Sequence, residues 1–179
     1  MPYALYAMHY YSVCYNNYML QISVGLLMYR WRDSALEVFL VHPGGPFWAK
    51  KDLGAWSIPK GLLERDEDSV DAARREFHEE TGFSAPGRLI PLAPVKVQGG
   101  KMIQAWAVEG DCDPEKARSN TFSMEWPPRS GRKQEFPEVD RAAWFGINEA
   151  QEKINKGQIP LLEELERVLS NYTHQKNLI

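Results

Sequence analysis

Apolar residues in the first half of the chain fall into short runs with the composition of strands. ISVGLLMY, from residue 22, and LEVFLVH, from residue 36, are rich in β-branched and aliphatic side chains and are separated by the polar segment RWRDSA. Such runs between turn residues predict two strands of one sheet. RLIPLAPVKV and KMIQAWAVEG, which are joined through Gly99-Gly100, predict a further strand pair.

Residues 69 to 81, between the two strand pairs, have helical composition and an apolar stripe. The stripe consists of residues at positions i, i+3 and i+7, namely Val70, Ala73 and Phe77. Asp68 or Ser69 is available as the N-cap, and Gly82 is positioned as the left-handed residue that ends the helix. The pattern predicts a loop, a helix that can lie on the sheet, and a second loop.

The chain after residue 109 is less regular. Residues 110 to 137 predict a long polar connection that includes EWPPRSGRKQEFP, and a loop of this length in a compact domain is more often functional than idle. AAWFG restores a strand, and Asn148 with Gln151 offers a capping box for a short helix. PLLEELERVL predicts an amphipathic helix that begins at Pro160.

The overall composition is that of one globular domain. The chain has 179 residues, of which 44% are hydrophobic, and this is enough for a single core. The formal net charge of -3 gives no field that would gather nucleic acid, so a nucleic-acid partner is not expected. Cys14 and Cys112 are too few for a disulfide framework or a zinc site and predict reduced thiols.

The N-terminus differs in composition from the rest of the chain. MPYALYAMHYYSVCYNNYML contains six of the eight tyrosines, and it lacks both the basic and the compact apolar region of a secretory signal. Polar residues also interrupt any membrane span. We expect residues 1–19 to form an extension to a single cytoplasmic domain, residues 20–179. The extension is expected to be dispensable, and a docking strand or accessory cover is the alternative.

The segment GLLERDEDSVDAARREFHEETGF, residues 61 to 83, concentrates acidic side chains. With about 3.6 residues per turn, Glu76, Glu79 and Glu80 fall within an arc of roughly 100° beside the apolar stripe. Like charges so close together are costly without a cation, and carboxylates without nearby His or Cys favour magnesium or manganese. Because substrate phosphates commonly complete such sites, the segment indicates chemistry on phosphate.

Arg75 has a different predicted role, because a cation cannot share a metal site. It can pair with Glu67 and Glu79 and so hold the preceding loop and a ligand carboxylate in place. The alternative is a solvated acidic face with pairs such as Arg75 and Glu79. That alternative gives no reason for the positions of Gly61, Glu67 and Gly82.

The same segment resembles the Nudix box, GX5EX7REUXEEXGU with U apolar, at every defined position. The matching residues are Gly61, Glu67, Arg75, Glu76, Phe77, Glu79, Glu80, Gly82 and Phe83. A chance match in a chain of this length has a probability on the order of 10⁻⁷. The resemblance extends over about residues 20 to 170. It implies an α/β fold, specifically an α/β/α sandwich with a mixed β-sheet, and hydrolysis of a nucleoside diphosphate linked to another moiety.

The resemblance also implies roles for individual residues by motif position. The ligands of Mg²⁺, or of Mn²⁺ as a substitute, would be Glu76, Glu79, Glu80 and the carbonyl of Gly61. Arg75 and Glu67 would support catalysis as an orienting pair, while metal ions align a water for attack on phosphorus. Glu79 or Glu80 would assist removal of its proton. The choice between them differs within the family and stays open.

Residues around the box resemble members of the family that cleave dinucleotides. WSIPKG is similar to the diadenosine polyphosphate and diphosphoinositol polyphosphate hydrolases, and KMIQAWAVEGD looks like a strand of the asymmetrical diadenosine tetraphosphate hydrolases. Those enzymes carry a glutamate ahead of a tryptophan, as Glu138 stands ahead of Trp144 here. A tyrosine that some of them place after the box is missing, since the chain there reads VQGGKM.

Several polar side chains are therefore candidates for contact with a polyphosphate. The expected substrate-binding residues are Lys60, Lys51, Arg132 and Glu138. For the lysines and the arginine the alternative is ordinary solubility. His42 and His78 are expected to be surface and packing residues, because magnesium does not call for imidazole.

These observations predict a divalent-metal-dependent pyrophosphohydrolase for a dinucleoside polyphosphate or a related nucleoside polyphosphate. The other enzymatic options are a 5′-triphosphate RNA end, an ADP-sugar and an inositol pyrophosphate. The competing class is a Nudix module that binds a nucleotide without cleaving it. The partner is in each case a small or end-bound phosphate ligand, and the oligomeric state stays open.

Overall fold

A long antiparallel hairpin begins the described part of the chain, residues 21–176 of a computed structural model. β1 (Ile22–Arg32) and β2 (Ala35–Pro43) are joined by Asp33 and Ser34, both with positive φ, as expected for a two-residue hairpin turn. The predicted strand pair is confirmed. The turn is shorter than RWRDSA, because the first three residues of that segment continue β1.

The central sheet is mixed. The other strands within residues 21–176 are β3 (Lys60–Leu62), β4 (Leu89–Pro91), β5 (Val95–Lys96), β6 (Met102–Glu109), β7 (Thr121–Glu125), β8 (Lys133–Pro137) and β9 (Val139–Gly146). The central order is β4-β6-β1-β2-β9, with β3 also on β1 and β5 also on β6. β1 and β6 are parallel, whereas the neighbouring pairs are antiparallel.

Helices cover both faces of this sheet. They are α1 (Ser69–Thr81), α2 (Ile147–Lys153) and α3 (Ile159–Lys176). Successive side chains of β1 point to opposite faces of the sheet and enter two separate cores. Leu26 belongs to the same core as Phe77 of α1, and Leu27 belongs to the same core as Leu165 of α3. Since all four are fully buried, each contributes about 1.5–3 kcal/mol of hydrophobic stabilisation. The α/β/α sandwich with a mixed sheet is therefore confirmed.

The ends of α1 are fixed by local signals that the sequence displays. The Asp68 carboxylate accepts hydrogen bonds from the backbone N–H groups of Val70, at 2.9 Å, and Asp71, at 3.1 Å. Gly82 ends the helix with φ of 74°, which a side chain would disfavour. The predicted helix bounds and both caps are confirmed, and they set which carboxylates share a face.

Residues 110 to 137 contain more regular structure than expected. β7 and β8 form a separate two-stranded hairpin, in which Phe122 pairs with Phe136. Within this hairpin the Trp126 ring lies 5.5 Å from that of Phe47, in the loop after β2. The prediction of an irregular connection was wrong here, because the pairing of β7 and β8 is carried by backbone hydrogen bonds between largely exposed, polar sequences.

Two smaller predictions also need correction. α2 has Gly146 as its N-cap with no side-chain hydrogen bond, because β9 leads directly into the helix and Asn148 already lies in the first turn. The Asn148–Gln151 capping box is therefore absent. RLIPLAPVKV forms two short strands on β6 rather than one, since Pro91 and Pro94 cannot donate to the ladder.

The predicted extension, residues 1–19, lies outside the described residues. Among the helices of the described part, none is both long and apolar enough to cross a membrane.

Candidate active site

Arg75 lies at the centre of the carboxylates of α1. Its Nε and Nη2 donate to the two carboxylate oxygens of Glu67, at 2.8 and 3.0 Å. Its Nη1 donates to Glu76 at 2.8 Å and to Glu79 at 3.2 Å. The pairs with Glu67 and Glu79 are those expected from the sequence, and Glu76 is a third partner. One guanidinium thus donates hydrogen bonds to three carboxylates.

The pair between Arg75 and Glu67 fastens the loop before α1 to the helix. Glu67 also accepts the backbone N–H of Glu64 at 3.3 Å. The hydrogen bonds from Arg75 lower the pKa of Glu67, and those to Glu67 raise the pKa of Arg75. Both side chains are therefore charged at neutral pH, and a bidentate pair of this kind fixes orientation as well as distance.

Glu80 contacts β3 instead of Arg75. Its Oε2 accepts the backbone N–H of Lys60 at 3.1 Å. Burial raises the pKa of Glu80 to about 7, and the charges of Glu76 and Glu138 add to this, while the Lys60 ammonium opposes it. The shift thus arises mainly because the carboxyl group of Glu80 is removed from water, and neighbouring carboxylates add a smaller effect.

Gly61 on β3 lies directly against the carboxylate of Glu76. A Cβ at residue 61 would overlap the carboxylate oxygens of Glu76, so only glycine allows this approach. Burial raises the pKa of Glu76 against the lowering effect of Arg75, with further repulsion from Glu79 and Glu138. The backbone of β3 and the flank of α1 therefore form one surface.

Glu138 comes to this surface from a distant part of the sequence. Its backbone N–H donates to the carbonyl of Asn120 at 2.9 Å, and its carbonyl accepts the N–H of Gly44 at 2.8 Å. Its charge contributes to the raised pKa values of both Glu76 and Glu80. The structure thus brings Glu138 into the electrostatic neighbourhood of the box.

The carboxylates are of the type that binds divalent metal ions, but their side chains are not grouped around one point as metal ligands would be. Among the described residues, no three His, Cys, Asp or Glu side chains are grouped to hold a metal ion. The reason is that Arg75 holds Glu76 and Glu79, while the Lys60 N–H holds Glu80. Carboxylate oxygens beside the glycine backbone still suit Mg²⁺. Burial raises the pKa of Glu76 and Glu80, and a bound cation would favour their charged forms.

Two of the predicted substrate-binding residues, among those the structure describes, form no ion pair with the carboxylates of the box. The Lys51 Nζ is 4.3 Å from the centre of the Trp48 ring. Arg132 lies next to β8, where its carbonyl accepts the Trp126 N–H at 2.9 Å. In residues 21–172, neither side chain forms an ion pair with a box carboxylate. Their role in substrate binding stays a prediction.

His42 is a packing residue, as expected, but it is not on the surface. It is fully buried, with Nδ1 2.7 Å from Asp140 Oδ1 and Nε2 2.9 Å from the Lys51 carbonyl. We call these three residues the His42 network. It joins the loop after β2 to β9. His78, in contrast, is exposed on α1.

The sequence did not reveal how the segment before β7 is attached to α1. The backbone N–H of Asn120 donates to the Glu79 carbonyl, and that of Arg118 donates to the Thr81 carbonyl, both at 2.9 Å. These bonds satisfy carbonyls that the end of a helix leaves free. They involve backbone groups far apart in the chain, so no residue pattern could have predicted them.

A family model described as the NUDIX domain matches residues 19–165. The chain belongs to the Nudix family. A Nudix relative from Mycolicibacterium smegmatis, an 8-oxo-(d)GTP phosphatase, is 31% identical over 137 residues, which are 69% of this chain and 35% of the relative. The phosphatase NudJ of Escherichia coli K12 is 33% identical over 96 residues, 49% of this chain and 63% of NudJ. This Nudix chain therefore spans about a third of the length of the mycobacterial relative and under two thirds of the length of NudJ.

Solved structures show the same Nudix fold. The binary complex of a Caenorhabditis elegans Ap4A hydrolase superposes with a TM-score of 0.57 at 20% identity, covering 85% of this chain and 99% of the hydrolase. At this identity the likeness establishes the fold alone.

Proposed function

We propose that this Nudix chain is a divalent-metal-dependent pyrophosphohydrolase that cleaves a phosphoanhydride bond of a dinucleoside polyphosphate or a related nucleoside polyphosphate. The observation that carries the proposal is the excess of carboxylates around Arg75, with Glu80 and Glu138 adjoining them. Family membership adds that the full set of box residues is present in the order and spacing of a hydrolase.

The roles follow from the contacts of each side chain. Glu76, Glu79, Glu80 and the Gly61 carbonyl would hold Mg²⁺, or Mn²⁺ in its place. A bound divalent ion would supply charge for the phosphate oxygens and a more acidic water. For Glu79 to serve as a ligand, its carboxylate must turn from Arg75, and this pair is the longest of the four contacts of that guanidinium to the three glutamates.

Arg75 and Glu67 would act as positioning residues. Their bidentate pair joins the loop after β3 to α1, so it holds Gly61 and the glutamates in a fixed relation. Glu79 and Glu80 are both candidates to accept the proton of the attacking water. Glu79 is half-exposed next to Arg75, and Glu80 lies against β3.

The dinucleoside polyphosphate is favoured by the residues next to the box. The Lys60 ammonium is close enough to lower the pKa of Glu80, so it can also interact with a phosphate near that carboxylate. WSIPKG, which ends with Lys60-Gly61, is the segment that resembles the diadenosine polyphosphate hydrolases. The fold likeness to an Ap4A hydrolase is compatible with this choice.

A nucleoside triphosphate is the second candidate substrate. It is favoured by the 31% identity to the mycobacterial relative whose name is 8-oxo-(d)GTP phosphatase. RNA 5′-ends, ADP-sugars and inositol pyrophosphates complete the set of substrates to be tested, and a purely binding module is the non-enzymatic alternative.

A substrate panel tests these choices directly. The purified chain is incubated with Mg²⁺ and each of diadenosine tetraphosphate, 8-oxo-dGTP, ADP-ribose, a 5′-triphosphate RNA and an inositol pyrophosphate, and the products are separated by chromatography. Formation of ATP and AMP from diadenosine tetraphosphate, with the highest kcat/KM, is the expected result. A higher kcat/KM for another substrate would overturn the dinucleotide assignment. Tight nucleotide binding with no turnover in Mg²⁺ or Mn²⁺ would identify a binding module instead.

A further inference from the structure

The hydroxyl group of Ser119 contacts the main chain of the residue that follows Glu138. Its Oγ accepts the backbone N–H of Val139 at 3.0 Å and lies 3.1 Å from the Val139 carbonyl oxygen. The carbonyl oxygen of Asn120 is also within reach, at 2.9 Å. Because a hydroxyl has a single proton, it donates to one of these two oxygens at a time. In either state, Ser119 accepts the N–H of Val139.

The backbone of Glu138 is fixed on both sides by hydrogen bonds. Its N–H donates to the Asn120 carbonyl at 2.9 Å, and its carbonyl oxygen accepts the N–H of Gly44 at 2.8 Å. Gly44 is buried, and a Cβ there would overlap the carbonyl oxygen of Pro137, so the loop after β2 packs closely on this segment. The Ser119 contact therefore adds a side-chain hydrogen bond to a segment that is otherwise held by main-chain bonds.

The segment that carries Ser119 is itself fastened to the C-terminal end of α1. The N–H groups of the two flanking residues, Arg118 and Asn120, donate to the carbonyls of Thr81 and Glu79, both at 2.9 Å. Ser119 lies between these two attachment points and is half-buried against β9. A continuous set of hydrogen bonds therefore connects the helix backbone at Glu79 with the first residue of β9.

The position of Glu138 relative to α1 affects the carboxylates of the box. Its charge adds to the effect of burial in raising the pKa of Glu76 and of Glu80, so the three side chains are near one another. The Glu138 side chain is exposed and, within residues 21–172, forms no ion pair. Its direction therefore depends on the backbone that Ser119 holds.

We propose that Ser119 is a positioning residue, whose hydroxyl holds the backbone next to Glu138 so that this carboxylate adds its charge to a cation site at Glu76 and Glu80. The inference rests on the proposed function, because it assumes that the box holds a divalent ion. Loss of the hydroxyl leaves the Val139 N–H without this acceptor and lets the start of β9 move relative to α1. Glu138 then contributes less charge, while the carboxylates of the helix stay in place.

Titration calorimetry with Mn²⁺, without substrate, tests this role on the full chain. The variants are Ser119→Ala, Ser119→Thr and Glu138→Gln, and Ser123→Ala, at an exposed serine of β7, is the matched control. Ser119→Ala should weaken Mn²⁺ binding about tenfold, as expected when a group that orients a metal-site carboxylate is removed. Ser119→Thr keeps a hydroxyl and should retain most of the affinity, and Ser123→Ala all of it. Equal affinities of Ser119→Ala and Ser123→Ala would overturn the proposal.

A double variant shows whether Ser119 acts through Glu138. In the Glu138→Gln background, Ser119→Ala should change Mn²⁺ affinity by less than about twofold, since the carboxylate that it positions is already neutral. A merely structural hydroxyl would lower the melting temperature in both backgrounds without this coupling, so additive losses of affinity would contradict the proposal. Unchanged Mn²⁺ affinity of Glu138→Gln alone, at an exposed side chain, would also overturn it.

Turnover separates this inference from the proposed function. If the wild type binds Mn²⁺ but hydrolyses no nucleotide of the panel, the proposed function fails, while coupling between Ser119 and Glu138 in Mn²⁺ binding still supports the positioning role. If the wild type hydrolyses a nucleotide and Ser119→Ala binds Mn²⁺ as Ser123→Ala does, the positioning role fails and the proposed function stands. Absence of Mn²⁺ binding by the wild type would overturn both.

Discussion

Two polar networks in this chain differ in how their oxygen atoms are matched by hydrogen-bond donors and cations. In the His42 network, the ring contacts two acceptors, the Asp140 carboxylate and the Lys51 carbonyl. Each ring nitrogen therefore lies within hydrogen-bonding distance of one oxygen, so both polar atoms of the buried ring have a partner. Arg75 instead faces three carboxylates, and Glu80 and Glu138 add to the same negative region.

The difference separates the His42 network from the proposed active site. A buried network in which every donor has one acceptor stabilises the fold and has no capacity for a ligand. A cluster with more carboxylates than cations is tolerated where it is partly exposed to water, and a bound cation would stabilise it further. Mutations should therefore affect stability at His42 and activity at the box.

The largest expected effect is on turnover. Glu79→Gln should lower kcat about 10³-fold, because a neutral amide is a poorer metal ligand and cannot accept a proton. Its thermal unfolding should stay close to that of the wild type, since Glu79 is half-exposed. Glu80→Gln is assayed in parallel, and comparison of the two kcat values shows which of the two carboxylates contributes more to turnover. Undiminished activity of Glu79→Gln in Mg²⁺ would refute its assignment.

The reverse result is expected at His42. His42→Ala should reduce the free energy of unfolding by about 3 kcal/mol, because it removes a fully buried ring and leaves Asp140 and the Lys51 carbonyl without their donor. Denaturant titration measures this change. His78→Ala, at an exposed position, is the control and should change stability by less than about 0.5 kcal/mol. Equal stabilities of the two variants would remove the contrast between the networks.

Addition of Mg²⁺ should stabilise the protein through the box. At about 100 times the dissociation constant the gain is about 2.7 kcal/mol, and the melting temperature should rise by roughly 5–10 °C. The increase should persist in His42→Ala and be lost in Glu76→Gln. A full increase in Glu76→Gln would show that the cation binds elsewhere.

The pH dependence of stability in EDTA should also reflect the box. The pKa of Glu80 is raised to about 7 in the folded chain from 4.5, so the folded state binds more protons than the unfolded state between these values. Its contribution is present at low pH and is lost as pH rises through about 7, by on the order of 2 kcal/mol. The wild type should therefore lose more stability than Glu80→Gln between pH 5 and about 8. Parallel curves for the two proteins would contradict the shift.

The smallest effect is expected at the N-terminus. Deletion of residues 1–18 should leave kcat/KM and the melting temperature unchanged if the extension is dispensable. A drop in either quantity would favour the alternative of a docking strand or cover.

Local signals made most of the fold predictable. Asp68 and Gly82 bound α1 by short-range hydrogen bonds and backbone geometry, so its limits could be read from neighbouring residues. The apolar runs of β1 and β2 likewise identify central strands, because both faces of the sheet are buried. The β7–β8 hairpin gave no such signal, since its residues alternate only between exposed and half-buried positions.

The candidate site was predictable only where its residues are close in sequence. Arg75, Glu67 and Glu79 lie within one segment, and their contacts follow from helical spacing and a short loop. The approach of Glu138 was suggested by resemblance, while the bond from Asn120 to Glu79 depends on backbone groups that long-range folding brings together.

The β7–β8 hairpin is attached at its two ends in a way that would allow it to be replaced by another hairpin. Asn120 and Glu138, at its two ends, are joined by a hydrogen bond of 2.9 Å, and Asn120 is fastened to the carbonyl of Glu79. The intervening residues can therefore change in length and sequence while their ends stay closed on the same helix. The hairpin could thus diverge between relatives without any change in the carboxylates, and a protein engineer could graft another hairpin at the same two residues.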